Sequence, residues 1–455
     1  MEARDSSLQF ALFDLLSNSL ILHQTAPYLP VSARLNLAAT SKSFRLLIYN
    51  SPDAFRYLDL SGVKSANVPY IPVDTGGINW RSQRIDEAFT EDEFYCGPLR
   101  GIFNKLERAK LLGFVQILIL DGLTVPADLV REIIAEDRFN VRLLSIRDVD
   151  HLNDRKLRQV LEYAVRPTRS EATPKLKALY YFGPKDSTCR DRGQPRVAMP
   201  GRSSPPAGTT GVMNSVGAQI GAQWNQRSAE ALSTAVPDPM DQWYGPSGRM
   251  IKPSKCDAWG ETLKACEGII SFDAVLCRGP RHDARVVLRD SSGDPGAAFG
   301  KVMSFLRPQV ASVALGPAGC ASCGKAPEGA AVFRSSPLEH LPLISPLPLH
   351  SSTVRAATRP FDETLSSSSK MIARCEDCLR SRWCERCNTW WCEDCYVEPT
   401  SRLRSQNLQQ DLELQGDSAI TATGNEKIKV HLGLCVEHCL VGEMMSGAGS
   451  NGMWA

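Results

Sequence analysis

Apolar residues recur along the chain in one short form, L-x-x-L-x-L. The copies are Phe55/Leu58/Leu60, Val115/Leu118/Leu120, Val141/Leu144/Ile146, Leu176/Leu179/Tyr181, Phe272/Val275/Cys277 and Val310/Val313/Leu315. Alternation at the last two positions predicts a strand with one buried face. Between the second and third copies, PADLVREIIAEDR puts Leu129, Ile133 and Ile134 on one helical stripe, with Pro126 where a helix starts. After the third, HLNDRKLRQVLEYAVR does the same with Leu157, Val160 and Leu161, and Asn153 or Asp154 as N-cap. The last three copies run into YYFGP, LCRGP and ALGP, where a Gly-Pro ends the strand and forces a turn. The fold class expected is α/β, with strand–turn–helix units.

Ahead of the first copy, the chain up to about Asn50 is dense in Leu, Ala and Ser and predicts helices. One spans Leu15 to Leu22. A second is capped by Ser32 and buries Leu35, Leu37 and Ala38. A third is capped by Thr40 or Ser41 and buries Phe44, Leu46 and Leu47. From about Pro184 to Met240 the composition turns to Pro, Gly, Ser, Thr and Ala. Such a stretch buries too little apolar surface to offset the entropy of ordering it, so disorder is expected. SSPLEHLPLISPLPLHSS, FDETLSSSSK and SRLRSQNLQQDLELQGDSAITATGNEK read as weakly ordered in the same way.

With 455 residues, 43% of them hydrophobic, the chain can build two or three domains with sizeable cores. Its net charge of +2 supplies no field to draw nucleic acid or an anionic membrane, so neither is an expected partner. Asp14 interrupts the apolar N-terminal stretch, so no secretory signal is expected, and no uninterrupted apolar run predicts a transmembrane span. The expected compartment is the cytoplasm or nucleus, where structural disulfides are disfavoured. Fifteen cysteines therefore need another explanation.

Eight of them form C-x-x-C pairs: Cys320/Cys323, Cys375/Cys378, Cys384/Cys387 and Cys392/Cys395. VHLGLCVEHC then adds His431, Cys435, His438 and Cys439. A C-x-x-C turn aims two thiolates at one ion, and zinc takes four ligands, so these residues suffice for two or three structural Zn²⁺ ions. The spacing leaves the partition open. Sequential sites join Cys320/Cys323 to Cys375/Cys378. Interleaved sites join Cys320/Cys323 to Cys384/Cys387, and Cys375/Cys378 to Cys392/Cys395.

Trp383, Trp390 and Trp391 are expected to pack over the metal, because a small module has little other core. Arg374, Arg380, Arg382 and Arg386 alternate with Glu376, Asp377 and Glu385 and read as a solvated surface. Cys96, Cys189, Cys256, Cys266 and Cys277 lack partners at metal spacing; Cys277 reads as a small core hydrophobe. His23, His151, His282, His340 and His350 read as surface or core residues. The chain has no phosphate loop, dinucleotide fingerprint, nucleophile elbow or H-E-x-x-H. Only Cys439 beside His438 hints at an activated thiol. No catalytic residue, and no enzyme, is expected.

Three resemblances add to this reading. The strand–turn–helix units resemble leucine-rich repeats, which stack because no single unit buries its own face. The N-terminal segment resembles the F-box through Tyr28, Leu29, Pro30, Leu35, Leu37, Ala39, Thr40, Ser41, Phe44, Arg45 and Leu46. It departs at the start, where F-boxes carry Leu-Pro-x-Glu. The spacing Cys384-x2-Cys387-x4-Cys392-x2-Cys395, then His431-x3-Cys435, with Trp391 at the aromatic place, is similar to the in-between-RING zinc fold. The long insert before His431 departs from that pattern, and so does the missing RING upstream. Fungal F-box proteins, and fungal proteins of the ubiquitin-fusion-degradation-like kind, look like this arrangement.

The expected organisation is an F-box-like helical domain over 8–50 and a leucine-rich-repeat-like solenoid over 51–318, with a disordered insertion at about 184–240. A zinc-stapled module over 319–445 and a Gly-rich tail over 446–455 follow. The resemblances imply a substrate-recognition subunit of a cullin-type (SCF) ubiquitin ligase. The box would dock a Skp-type adaptor through Tyr28, Leu29, Pro30, Leu35, Leu37, Phe44 and Leu46, while the repeats and zinc module hold a target protein. The alternatives are a zinc-dependent RING or in-between-RING-like ligase, and a zinc-bearing interaction scaffold unrelated to ubiquitin.

Overall fold

The computed structural model describes residues 12–66, 91–168, 174–186, 243–244, 248–252, 258–283, 305–316, 318–325, 329–360, 370–393, 395 and 428–445. Almost all of the expected 184–240 insertion, the polar 401–427 stretch, 361–369 and the 446–455 tail lie outside the described residues, as do Cys189 and Cys256. Two compact units are present. One comprises Met1–Lys185, Lys255–Leu276 and Ser336–Arg359; the other Asp186–Ser254, Cys277–Ser335 and Pro360–Ala455. These limits differ from the expected 50/51 and 318/319 boundaries. The N-terminal helices share a unit with the parallel sheet, Cys277–Ser335 goes with the cysteine-rich segments, and Ser336–Arg359 returns to the first unit.

The first unit opens with α1 (Leu12–Ser17), α2 (Ser19–Thr25), α3 (Val31–Thr40) and α4 (Lys42–Asn50). The expected single first helix is two, because the Asn18 side chain accepts the Leu20 N–H at 3.0 Å and starts a new helix. Ser41 caps α4, its Oγ accepting the Phe44 N–H at 3.1 Å. The buried set is Leu16, Leu22, Ala26, Arg34, Ala38 and Ile48. Leu35 and Leu46, expected inside, are instead 38% and 63% exposed, and Leu37, Phe44 and Leu47 are half-buried. Arg34 is the cause on α3. Its guanidinium takes the inward place and donates to the carbonyls of Ala54 and Tyr57. The next residue, about 100° further round the helix, then faces out.

Five strands form one parallel sheet: β1 (Tyr57–Asp59), β2 (Ile117–Ile119), β3 (Leu143–Ser145), β4 (Ala178–Tyr180) and β5 (Ser271–Phe272). Their order in the sheet is their order in the chain. Leu58, Leu118, Leu144, Leu179 and Phe272 stand in register across it. Helices α5 (Glu91–Arg108), α6 (Ala127–Ala135), α7 (Asp154–Val165) and α8 (Gly260–Cys266) each pack on the next. Asn153 is the N-cap of α7, its Oδ1 accepting the Lys156 N–H at 3.1 Å. Leu129, Ile133, Ile134, Leu157 and Leu161 are buried, as their spacing requires.

Two copies of the apolar form behave differently from expectation. Phe272 aligns with Leu179, the middle position of its copy, so the fifth copy is read three residues too late. The sixth is not in this sheet at all. Its strand β6 (Val313–Leu315) belongs to the second unit and pairs antiparallel with β8 (Lys370–Arg374), beside β7 (Ala331–Val332).

The other face of the parallel sheet is also covered. Ile117, Ile119, Leu143, Ala178 and Tyr180 pack against Leu343, Leu347 and Ala357 of the Ser336–Arg359 segment, whose short helix α9 spans Val354–Ala357. The Leu343 N–H donates to the Phe272 carbonyl at 2.8 Å, so this strap also pairs with the edge strand. Its Pro/Ser-rich composition predicts weak order. Burial of Leu341, Leu343, Ile344 and Leu347 overrides that, at roughly 1.5–3 kcal/mol per fully buried side chain.

Candidate metal centre

The second unit is built around sulfur. Among the described residues, three groups of Cys and His bring four ligand atoms each within 4.8 Å of one another. Site I is Cys277, His282, Cys375 and Cys378. Site II is Cys320, Cys323, Cys392 and Cys395. Site III is Cys384, Cys387, Cys435 and Cys439.

Local structure explains each placement. In site I, β8 ends at Arg374 and delivers Cys375, whose sulfur accepts the Cys378 N–H at 3.4 Å. Gly279-Pro280 turns the chain into one helical turn, Pro280–His282, which presents the imidazole. His282 Nδ1 lies 3.2 Å from the Leu306 carbonyl and Nε2 lies 3.2 Å from Cys375 Sγ. A proton on Nδ1, donated to that carbonyl, leaves the Nε2 lone pair free for a metal.

Sites II and III share a knuckle. Gly324 follows Cys323 at φ +65°, and its N–H donates to the Cys320 carbonyl at 2.8 Å. Asn388 follows Cys387 at φ +56°, and its N–H donates to the Cys384 carbonyl at 2.9 Å. Gly and Asn are the residues that adopt this left-handed conformation most readily. Site III is completed by a hairpin of β9 (Val430–His431) and β10 (Leu434–Cys435). Leu432 and Gly433 form its turn, both at positive φ. Cys439 follows one turn later, its N–H directed at Cys435 Sγ at 3.4 Å.

Sulfur spacing fits a tetrahedral ion. Cys277–Cys378, Cys323–Cys392 and Cys387–Cys435 have Sγ···Sγ separations of 3.6, 3.8 and 3.7 Å. Four sulfurs about 2.3 Å from a central ion lie about 3.8 Å apart, whereas a disulfide requires about 2.05 Å.

Electrostatics point the same way. Burial pushes the Cys277 thiol up, but hydrogen bonds from Cys375, Cys378 and His282 outweigh it and hold the group well below its ordinary value. Cys378 is driven far up, first by its bonds to Cys277 and Cys375 and then by burial. In site II, burial of Cys320 is outweighed by the N–H groups of Cys392, Cys323 and Ser322, bringing it to about 7. Cys392 is raised by burial and by Cys395, and in site III burial, Cys435 and Cys387 raise Cys439. In sites I and II one thiol ionises at its neighbours' expense, which a bound cation would relieve.

Ten of the twelve ligands expected from the sequence lie in these groups: Cys320, Cys323, Cys375, Cys378, Cys384, Cys387, Cys392, Cys395, Cys435 and Cys439. His431 and His438 do not. His431 sits half-buried in β9, and His438 is exposed on the turn that leads to Cys439. Cys277 and His282 take their places, against the reading of both as isolated residues. The one signal for them is the spacing Cys277-x4-His282, which is uninformative without the distant Cys375/Cys378 pair.

Neither expected partition holds. Along the chain the halves run I, II, I, III, II, III, so the loop closed by site I contains half of site II, and that closed by site II contains half of site III. Cys384/Cys387 and Cys392/Cys395, only five residues apart, serve different sites.

The tryptophans lie in the same core. Trp383, Trp390 and Trp391 are buried with Cys320, Cys384, Cys392 and Cys435. Trp383 Nε1–H donates to Asn388 Oδ1 at 2.8 Å. Arg374 and Arg382, expected on the surface, are 2% and 5% exposed. Arg382 donates to the carbonyls of Cys378 and Trp391 and pairs with Glu393 at 3.1 Å, a strut from site I to site II. Mixed charge in sequence did not mean exposure: Arg382 satisfies buried backbone carbonyls at Cys378 and Trp391, and Arg374 those of Ala373 and Gly329.

No family model, curated protein or solved structure matches the chain. Among the described residues no helix is long and apolar enough to cross a membrane.

Proposed function

We propose that the three groups hold structural Zn²⁺ and that the chain is a substrate-recognition subunit of a cullin-type ubiquitin ligase, a receptor without catalytic residues of its own. Zinc is the reading favoured by the donor set, eleven thiolates and one imidazole at tetrahedral spacing. The receptor reading is carried by one observation: the N-terminal helices leave Leu12, Leu15, Leu20, Tyr28, Leu35 and Leu46 exposed. Apolar surface of this kind is what a partner helix covers. All seven expected adaptor contacts are accessible: Tyr28, Pro30, Leu35 and Leu46 are exposed, and Leu29, Leu37 and Phe44 are half-buried. A parallel sheet in chain order, backed by stacked helices, supports the leucine-rich-repeat-like solenoid. The strap covers the strand face, so target binding falls to the remaining repeat surface and the zinc module. These partners place the protein in the cytoplasm or nucleus.

The test is co-purification of the full chain with a Skp-type adaptor. Leu35→Asp and Leu46→Asp, both at exposed positions, are expected to abolish capture while leaving the fold intact. Absence of any adaptor complex favours the zinc-bearing scaffold, and a ubiquitin thioester on the chain favours the RING or in-between-RING-like ligase.

A further inference from the structure

We infer that Cys323 and Cys387 are oxidant-reactive metal ligands, so that peroxide ejects the ions of sites II and III while that of site I stays. This rests on the zinc reading above. All three sites hold sulfurs at the same separation, 3.6–3.8 Å. Access is what distinguishes them. Site I consists of three buried thiols and a half-buried imidazole. Sites II and III each pair one exposed thiol, Cys323 or Cys387, and one half-buried thiol, Cys395 or Cys439, with two buried ones. Oxidation of a thiolate follows its accessibility to the oxidant. Each exposed sulfur also has a buried partner in contact: Cys323 lies 3.8 Å from Cys392 and Cys387 lies 3.7 Å from Cys435.

The chemistry balances with a hydroperoxide as oxidant. The Cys323 thiolate attacks one peroxide oxygen and the O–O bond breaks. The departing hydroxide takes a proton and leaves as water, and Cys323 becomes a sulfenic acid. Cys392 then attacks that sulfur. An S–S bond forms, the S–O bond breaks, and a second hydroxide leaves as water. Two thiolates have lost two electrons to the peroxide, and two protons have come from solvent. The ion, left with two ligands, dissociates. Cys387 and Cys435 follow the same course in site III. In site I the close pair, Cys277 and Cys378, has no exposed member to begin it.

The experiment uses the full chain as purified, loaded with zinc and treated with hydrogen peroxide in the presence of a chromogenic zinc chelator. Two of three zinc equivalents are expected in an early phase, with the third released only by denaturant. Alkylation and peptide mapping of the same sample are expected to show Cys323–Cys392 and Cys387–Cys435 disulfides, with Cys277, Cys375 and Cys378 alkylated as free thiols after unfolding. Release of all three equivalents in one phase, retention of all three, or an early Cys277–Cys378 disulfide overturns the inference and leaves the zinc reading standing. A purified chain with less than one zinc overturns the zinc reading itself.

Discussion

Gly279→Ala probes site I without replacing a ligand. Gly279 has φ −63° and ψ 152°, a conformation alanine adopts freely, also before the proline that follows, so backbone strain plays no part. Space is the issue, since a Cβ there would lie 2.8 Å from Cys378 Sγ. Favourable non-bonded separations begin near 3.5 Å, so the sulfur has to retreat by about 0.7 Å. A metal–ligand distance tolerates about 0.2 Å. In the metal-free chain the thiol rotates away at little cost; in the loaded site it cannot. Zinc at site I should therefore bind about 10- to 100-fold more weakly, the range of a disturbed supporting shell, or about 1.4–2.8 kcal/mol. The assay is chelator competition on the full chain, counting zinc retained at each chelator concentration. Gly113→Ala is the control, because nothing lies within 4 Å of its Cβ. One equivalent in three should shift in Gly279→Ala and none in Gly113→Ala. Wild-type competition curves for Gly279→Ala would refute the placement of a metal against Cys378.

The remaining predictions concern the first unit. Buried Asp273 accepts the N–H groups of Tyr181 and Phe182 on Oδ1, at 2.9 and 3.0 Å, and that of Gly183 on Oδ2, at 2.8 Å. Asp273→Ala orphans three donors, at about 1–3 kcal/mol each, while Asp273→Asn keeps one oxygen and loses only the Gly183 acceptor. Urea midpoints should fall in that order, and equal losses would contradict the assignment. Leu343→Ala removes the strap's buried anchor and should cost about 2–5 kcal/mol by the same measurement; a loss under about 0.5 kcal/mol would mean the strap does not cover the sheet. Leu46→Asp should leave the helical circular dichroism and stability unchanged, whereas Ile48→Asp, at a buried site, should melt the N-terminal helices; similar behaviour of the two would reverse the assigned faces of α4.

Much of this fold is written locally, and the parts that are not share one cause. Strands β1 to β4 lie where the apolar form puts them, and residue type narrows the two caps to Thr40 or Ser41 and Asn153 or Asp154, of which the structure uses Ser41 and Asn153. The form fails at Phe272/Val275/Cys277, where two frames three residues apart both read as apolar and only the register with Leu179 selects one. It fails again at Val310/Val313/Leu315, because alternation specifies a strand and says nothing of its neighbour. Composition likewise hid the strap: its prolines and serines suggest weak order, yet Leu343 and Leu347 find a sheet face far away in sequence. In the metal centre, C-x-x-C spacing is a short-range signal and identified eight thiols. Cys277 and His282 reach Cys375 across about a hundred residues, so their role is visible only after folding. His431, Cys435, His438 and Cys439 looked equally suitable, and of these the hairpin and the turn after it bring only Cys435 and Cys439 to site III.

Zinc counting by mass spectrometry on three full-length proteins tests the account most directly. The wild-type chain should carry three ions. The double variant Cys277→Ala/His282→Ala should carry two, and His431→Ala/His438→Ala should still carry three. Less than one zinc in the wild type, or an ion lost with the two histidines and kept without Cys277 and His282, would contradict the metal centre described above.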